Sequence, residues 1–136
     1  MAFSIAAVCA DQYVKKLILD GFRYDGEYIS IIYVLNDGVA FSMLAFLKEY
    51  LKFIQIGVLV AALAYVASQR YFKRYAPELG LIFGSGASNI YARFIHGGVV
   101  DYVYWHHWFN FAVFNLADVL IDTGIVLIII KVLKKR

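Results

Sequence analysis

The chain has 136 residues, of which 62% are hydrophobic and 17% charged, and its formal net charge at pH 7 is +3. A single soluble domain of this size cannot bury so much apolar surface, so the composition excludes an ordinary soluble globular protein and predicts that lipid covers part of the chain. The length allows one domain over residues 1–136, and the single cysteine excludes an intramolecular disulfide.

The first apolar segment, residues 2–19, is a marginal membrane span because it carries Asp11, Gln12, Lys15 and Lys16. A transmembrane helix needs about 20 predominantly apolar residues. Ionisable side chains inside a membrane are costly and usually functional. Lys15 therefore either has a role in a site or only extends its amine to the membrane interface.

Residues 20–50 are mixed in character and are predicted to lie on the periplasmic side. The β-branched and aromatic residues at positions 29–35 predict a strand, and Asn36, Asp37 and Gly38 follow it as a turn signal. We expect a small sheet on the membrane surface and then a short interfacial helix over residues 44–50.

The second span is predicted at residues 51–68, and the third at residues 79–95. A basic cluster separates them and indicates the cytoplasmic side; it consists of Arg70, Lys73 and Arg74. Small residues recur every four positions in the third span, which favours close helix packing in lipid. These residues are Gly80, Gly84, Ser88 and Ala92.

The fourth span is predicted at residues 114–133, and a second basic cluster ends the chain at Lys131, Lys134, Lys135 and Arg136. Residues 97–113 carry no lysine or arginine, as expected for a periplasmic segment. Its aromatic residues predict a belt at the membrane interface; they are Tyr102, Tyr104, Trp105 and Trp108.

Four spans with both termini in the cytoplasm place every basic cluster on the cytoplasmic side. The predicted fold class is therefore a mainly α membrane protein, with four transmembrane helices, a small periplasmic β-sheet and a short interfacial helix. Because both basic clusters adjoin apolar runs, anionic membrane lipids are favoured as their partners over nucleic acid.

Two aspartates are candidates for chemistry. Asp118 lies about one turn into the fourth span, and Asp101 follows the third span on the same side of the membrane. Antiparallel packing of these spans can bring the carboxyls together, and two close carboxyls share one proton, so that one acts as acid and the other as base. The alternative is that they are two unrelated polar residues. Asn115, three residues before Asp118, lies on the same helical face.

Five sequence blocks resemble, in order, those of the lipoprotein signal peptidase (type II signal peptidase) family of membrane aspartyl proteases. The blocks are residues 11–15 (DQYVK), 36–42 (NDGVAFS), 84–94 (GSGASNIYARF), 97–102 (GGVVDY) and 114–118 (FNLAD). A single block is a weak signal, whereas the ordered set is specific.

The resemblance implies an aspartyl endopeptidase of the bacterial inner membrane whose active site lies near the periplasmic face. The implied substrate is a prolipoprotein whose lipobox cysteine already carries diacylglycerol, and the cut falls just before that cysteine. The family implies four helices, a surface β-cradle, no metal and no cofactor. It also implies that globomycin-type cyclic peptides occupy the substrate groove.

Site residues follow by position within the blocks. The resemblance makes Asp101 and Asp118 the catalytic pair, and Asp122, one turn further on, is the less favoured alternative to Asp118. Roles in orienting substrate or supporting the aspartates fall to Asn36, Asn115, Arg93, Asn89, Asp11, Lys15 and Gly38.

One position departs from the family pattern, which has an aspartate immediately before the arginine of the third block. Here that residue is Ala92, so Arg93 needs another partner, either Asp101 or backbone carbonyls. The alternative function is therefore a catalytically impaired variant that binds lipopeptide or a globomycin-type inhibitor without efficient cleavage. A small channel or transporter is a second alternative, and His106 with His107 is a weak candidate for metal binding.

Overall fold

The computed structural model describes residues 2–38, 44–47 and 49–134. Over these residues the protein is mainly helical, with one two-stranded antiparallel sheet. The helices are α1 (Ala2–Leu19), α2 (Tyr50–Ser68), α3 (Ala76–His96) and α4 (Leu116–Leu133), and the strands are β1 (Ile29–Asn36) and β2 (Val99–Trp105). Single 3-10 turns lie at Ala45–Leu47 and Tyr71–Lys73.

The four helices coincide with the four predicted apolar segments, with the largest difference at the start of α3. Pro77 explains that start, because proline fits the first turn of a helix, where its missing N–H is not needed. Within the range 44–50 where a short interfacial helix is predicted, the structure has a 3-10 helix at Ala45–Leu47, and α2 begins at Tyr50; residue 48 lies outside the described residues. Residues 39–42 of the second block lie outside the described residues, as do positions 135–136 of the basic tail.

Of the helices in the described part of the chain, α2 is the one long and apolar enough to cross a membrane by length and composition. Two of the other helices differ because each carries three charged side chains. α1 contains Asp11, Lys15 and Lys16, and α4 contains Asp118, Asp122 and Lys131.

Small residues let α3 approach α1 closely, as their spacing predicts. A Cβ atom added to Gly84 would lie 2.7 Å from the Ser4 carbonyl oxygen, and one added to Gly80 would lie 2.9 Å from Phe3 Cβ. Such contacts leave no room for a larger side chain. Further along the same stripe, Ser88 and Ala92 are both fully buried.

The chain reverses at the end of α3 and enters β2. Gly97 has a φ of +76° and donates its N–H to the Arg93 carbonyl, the left-handed helix end that glycine adopts without strain. At Gly98 a side chain would lie 2.8 Å from the Asn36 carbonyl oxygen, so glycine permits β1 and β2 to meet there. The turn and the close strand contact together place β2 beside β1.

Strand β2 was not predicted, although Val99–Trp105 has the β-branched and aromatic composition of a strand. The interface belt predicted there is wrong for Tyr102, which is 5% exposed and packs in a core with Ile18 and Val100. Trp108, by contrast, is 78% exposed.

Candidate active site

Asp101 is positioned by the pairing of the two strands. Asn36 pairs with Val99 in the antiparallel register, and Val99 and Asp101 point to the same face because they are two residues apart. The Asn36 amide therefore reaches diagonally across the strands and donates a hydrogen bond of 2.9 Å to Asp101 Oδ2. The Asp101 side chain is 3% exposed.

Asn115 is the N-cap of α4 rather than a residue within the predicted span. Its Oδ1 accepts the Asp118 N–H at 3.0 Å, and its own N–H donates to Asp118 Oδ2 at 3.1 Å, which forms a capping box. The remaining Asn115 Nδ2 donates to Asp101 Oδ1 at 2.6 Å. Asn115, which is fully buried, thus contacts both carboxyl groups.

Backbone pairing next to β2 fixes this N-cap. Phe114 exchanges hydrogen bonds with Val103, at 2.8 Å from the Val103 N–H and 3.1 Å to its carbonyl. The hydroxyl of Tyr102 accepts the Leu116 N–H at 2.9 Å. The start of α4 is therefore tied to β2 on both sides of Asn115.

Asn89 connects Asp118 to α1. Its Nδ2 donates to Asp118 Oδ1 at 3.0 Å, and its Oδ1 accepts from Lys15 Nζ at 2.7 Å. Because an ammonium group can only donate, Lys15 fixes which end of the Asn89 amide faces Asp118.

Lys15 and Asp11 form a buried ion pair, with Nζ 2.6 Å from Asp11 Oδ2 and side chains 1% and 0% exposed. The Asp11 carboxylate also accepts the Ser88 hydroxyl at 2.7 Å and the Ala117 N–H in the first turn of α4 at 3.1 Å. A carboxylate is favourable at a helix N-terminus because it meets unpaired N–H groups and the positive end of the helix dipole. Asp11 therefore joins α1, α3 and α4.

Two contacts in this network were not predicted as site features. The Ser88 hydroxyl donates to Asp11 and lies 2.7 Å from the donor Gln12 Nε2. Both residues fall within the sequence blocks, but Ser88 was interpreted only as a small packing residue. Its position in the stripe of small residues, one helical turn before Ala92, did not indicate that its hydroxyl binds Asp11.

Arg93 binds backbone carbonyls instead of the aspartates. Its guanidinium donates to the Asn36 carbonyl at 3.4 Å and to the Gly38 carbonyl, while the Gly38 N–H donates to Asn36 Oδ1 at 3.0 Å. Arg93 therefore holds the turn after β1, and that turn carries the Asn36 side chain. Of the two partners considered for Arg93, Asp101 or backbone carbonyls, the structure shows the carbonyls. The neighbouring Ala92 is fully buried.

A cavity of about 480 Å³, called here the dyad cavity, opens beside both aspartates. Polar side chains line one part of it, and apolar side chains from α2, α3, α4 and the segment before α4 line the rest. The polar lining consists of Asn36, Gln55, Asn89, Arg93, Asp101, Asp118 and Asp122. The site thus combines a polar end with a large apolar volume.

Burial raises the pKa of the Asp101 carboxyl from 3.8 to about 6. The hydrogen bonds from Asn36 and Asn115 act in the opposite direction, and the negative charge of Asp118 raises the pKa further. Burial also raises the pKa of the neighbouring Tyr102 hydroxyl to about 12. Asp101 can therefore hold or release a proton near neutral pH, as general acid–base chemistry requires.

The structure brings all nine predicted site residues into one connected group. They are Asp11, Lys15, Asn36, Gly38, Asn89, Arg93, Asp101, Asn115 and Asp118. Asp122 lines the cavity but lies outside this hydrogen-bonded group. His106 lies elsewhere, with Nε2 2.9 Å from the Ser30 hydroxyl, and His107 packs against Tyr28.

Sequence comparison identifies relatives over nearly the whole chain. The family profile described as signal peptidase (SPase) II matches residues 3–134. A lipoprotein signal peptidase of Helicobacter pylori is 50% identical over 122 residues, which cover 89% of this chain and 78% of that protein. One of Campylobacter jejuni is 48% identical over 128 residues, covering 93% of this chain and 82% of that protein.

Structure comparison gives the same fold. A solved bacterial membrane enzyme has a TM-score of 0.82 at 26% identity, with 98% of this chain and 86% of that chain covered. A second bacterial membrane enzyme has a TM-score of 0.82 at 24% identity, with 99% and 92% covered, and this likeness concerns the fold alone.

Proposed function

Because this chain belongs to the signal peptidase II family, we propose that it is an aspartyl endopeptidase that removes the signal peptide from prolipoproteins. Its substrate carries diacylglycerol on the lipobox cysteine, and the bond cut is the one before that cysteine. The observation that carries the proposal is the position of Asn115, which donates hydrogen bonds to Asp101 and Asp118 at the wall of one cavity.

Asp101 and Asp118 are the catalytic residues in this proposal and together hold one proton. The ionised carboxyl takes a proton from water as the water oxygen attacks the scissile carbonyl carbon. When the tetrahedral intermediate collapses, the C–N bond breaks and the protonated carboxyl gives its proton to the departing amine. The pair again holds a single proton after product release.

The surrounding amides set the direction of both carboxyls. Asn36 and Asn115 together occupy both oxygens of Asp101, and Asn89 with the Asn115 N–H occupies both oxygens of Asp118. Held in this way, the carboxyls need little reorganisation when charge develops. Lys15 and Asp11 support Asn89 and the start of α4, and Arg93 supports Asn36 through the Gly38 turn.

The apolar part of the dyad cavity suits the lipid chains and the apolar signal peptide. A globomycin-type cyclic peptide would compete for the same volume. Membrane lipids are the other partner, because the exposed surface of the helices is apolar; on α2 and α4 it includes Val58, Val60, Leu63, Val126 and Ile129.

The proposed setting is the bacterial inner membrane, with residues 1–136 forming one multi-pass domain. All four helices span, the segments at 20–50 and 97–113 face the periplasm, and both termini are cytoplasmic. The basic clusters after α2 and at the end of α4 support this orientation. A reporter inserted near Tyr104 should be active only in the periplasm, whereas one after Leu133 should be active only in the cytoplasm; the reverse pattern contradicts the orientation.

The function is tested with purified protein in detergent or lipid and a matched pair of prolipoproteins, one diacylglyceryl-modified and one unmodified. The proposal predicts cleavage of the modified substrate before its cysteine, little cleavage of the unmodified one, and inhibition by globomycin. The Asp118→Asn variant is the matched control for contaminating proteases. Cleavage that is independent of the lipid, or equal in the control, contradicts the proposal.

The alternative is a catalytically impaired variant that binds lipopeptide without efficient cleavage, and Ala92 is the observation that motivates it. Binding of the modified substrate together with turnover no faster than in Asp118→Asn would favour this alternative. Failure of both binding and cleavage would leave the channel or transporter hypothesis in place of either.

A further inference from the structure

Asp122 lies on α4 one helical turn beyond Asp118 and is the acidic residue of the dyad cavity that the proposed mechanism does not use. It also lines an adjoining apolar groove of about 480 Å³, called here the α4 groove. Besides Asp118, the groove is lined by Phe111, Phe114, Val119, Thr123, Val126 and Leu127. Both the cavity and the groove border Asp118, so a molecule that continues from one into the other passes Asp122.

The carboxyl of Asp122 is exposed and has neither a hydrogen bond nor an ion pair within the described residues. The two cationic residues of the candidate site already have partners: Lys15 binds Asp11 and Asn89, and Arg93 binds backbone carbonyls. Asp101 and Asp118 differ, since every one of their oxygens accepts a hydrogen bond from the protein. Among the carboxyl groups that line the dyad cavity, the one on Asp122 is therefore the one whose oxygens accept no hydrogen bond from the described residues.

An intramembrane peptidase must bind its substrate with the backbone extended at the cleaved bond, because a helix shields that bond. Unwinding frees main-chain N–H groups, and each N–H left unpaired in an apolar groove is costly. A carboxyl oxygen at the groove wall can accept one of them.

The spacing narrows the choice to two main-chain N–H groups of the substrate. One turn of α4 advances about 5.4 Å, and an extended peptide advances about 3.3 Å per residue. Asp122 thus lies one to two substrate residues from Asp118. In the proposed orientation α4 runs from the periplasmic side towards the cytoplasm, which is the direction of the signal peptide's N-terminal part.

We infer that Asp122 is a positioning residue for substrate, whose carboxyl accepts a hydrogen bond from the main-chain N–H one or two residues before the cleaved bond. The inference rests on the proposed function for the substrate and its direction. It assigns Asp122 no proton transfer, so Asp122 differs in role from Asp101 and Asp118.

The test uses a diacylglyceryl-modified lipobox peptide and two analogues in which an ester oxygen replaces the N–H at one of the two positions. Wild-type protein should lose about tenfold in kcat/KM with one of the esters. Asp122→Leu should lose about tenfold with the all-amide peptide and nothing further with that ester. Asp122→Asn, which keeps an acceptor oxygen, should stay within about threefold of wild type.

Val119→Ala is the matched control, because Val119 lines the same groove and carries no polar group. It should keep the full tenfold ester effect. An ester effect as large in Asp122→Leu as in wild type, or normal cleavage of the all-amide peptide by Asp122→Leu, overturns the inference. The melting temperature of Asp122→Leu should stay near that of wild type, since the side chain it replaces has no partner in the described protein.

Binding separates the inference from the proposed function. If wild-type protein cleaves none of the peptides, the proposed function fails, and the same comparison is made with dissociation constants measured by fluorescence anisotropy. An ester penalty in affinity that Asp122→Leu removes then supports the hydrogen bond without cleavage. An equal penalty in both proteins excludes it.

Discussion

Asn115 Nδ2 lies 2.6 Å from Asp101 Oδ1, while Asn115 Oδ1 caps α4 by accepting the Asp118 N–H at 3.0 Å. One side chain therefore performs two tasks that can be separated by substitution. The cap needs only a short side chain with an acceptor oxygen, and the contact with Asp101 needs an amide donor.

We expect Asn115→Ser to keep the cap and lose the donor to Asp101. Cleavage should fall by about tenfold to a hundredfold, corresponding to about 1.4–2.7 kcal/mol of transition-state stabilisation, while the melting temperature changes little. Asn115→Ala removes both contacts and should in addition lower stability by about 1 kcal/mol. Turnover assays and thermal melts of the two variants check this, and equal melting temperatures for both would contradict the capping role.

The raised pKa of Asp101 predicts a pH-dependent stability. Its value of about 6 in the folded protein exceeds the ordinary 3.8, so the folded state binds this proton more tightly than the unfolded chain does. The resulting stabilisation is complete below about pH 4 and is lost as the pH rises to about 6. In detergent, the melting temperature of the wild type should fall relative to that of Asp101→Asn over this range.

The variant removes the titrating group, so it serves as the reference at each pH. If the melting temperatures of wild type and Asp101→Asn differ by the same amount at every pH between 4 and 7, burial does not perturb the Asp101 carboxyl.

The buried Lys15–Asp11 ion pair can be tested by a second substitution that restores the stability lost with the first. Lys15→Met leaves the buried Asp11 carboxylate without its cation, which should cost about 3–5 kcal/mol. Adding Asp11→Asn removes that charge and should restore much of the lost stability. Cleavage by the double variant should stay about tenfold low, because the donor that orients the Asn89 amide towards Asp118 is gone.

Lys16→Met is the matched control for this experiment. Lys16 pairs with Asp20 at 2.8 Å, but both side chains are more than half exposed, so the loss of stability should be small because water screens the pair. Equal effects of the Lys15 and Lys16 variants on thermal stability would contradict the buried role of Lys15.

Replacing Ala92 with aspartate should have a small effect on the rate of cleavage and a larger effect on the stability of the protein. Arg93 is held by carbonyls at Asn36 and Gly38, and the four hydrogen bonds to the aspartates form without a residue-92 carboxylate. We expect Ala92→Asp to lower the melting temperature, because a carboxyl enters a fully buried position. Cleavage should change by less than about threefold.

Ala92→Asn is the control of matched size without charge. A gain in cleavage of tenfold or more in Ala92→Asp, absent from Ala92→Asn, would instead favour the catalytically impaired alternative.

Hydropathy and local composition predicted the helices and β1 because those elements are set by short-range patterns. The same reasoning missed β2, since the aromatic residues at Tyr102 and Trp105 were assigned to an interface belt instead of a strand. Tyr102 is buried because Phe114 pairs with β2 and brings α4 over it. A local sequence pattern does not reveal that pairing, because Val103 and Phe114 lie in different segments of the chain.

The candidate site was predictable as a set of residues but not as a network. The order of the sequence blocks identified its members, whereas the contacts depend on how three helices and a sheet pack. Lys15 illustrates the limit, since a lysine near the end of an apolar segment usually extends to the interface. Here Asp11 and Asn89 bind it in the interior.

Whether Asp101 and Asp118 act as one unit can be measured with a double-mutant cycle on single-turnover cleavage of diacylglyceryl-modified prolipoprotein. The variants are Asp101→Asn, Asp118→Asn and the double variant, each checked for retained lipopeptide binding. We expect each single change to abolish cleavage to the level of the double variant, because a shared proton needs both carboxyls. Substantial turnover in either single variant, or losses that add in the double variant, would contradict it.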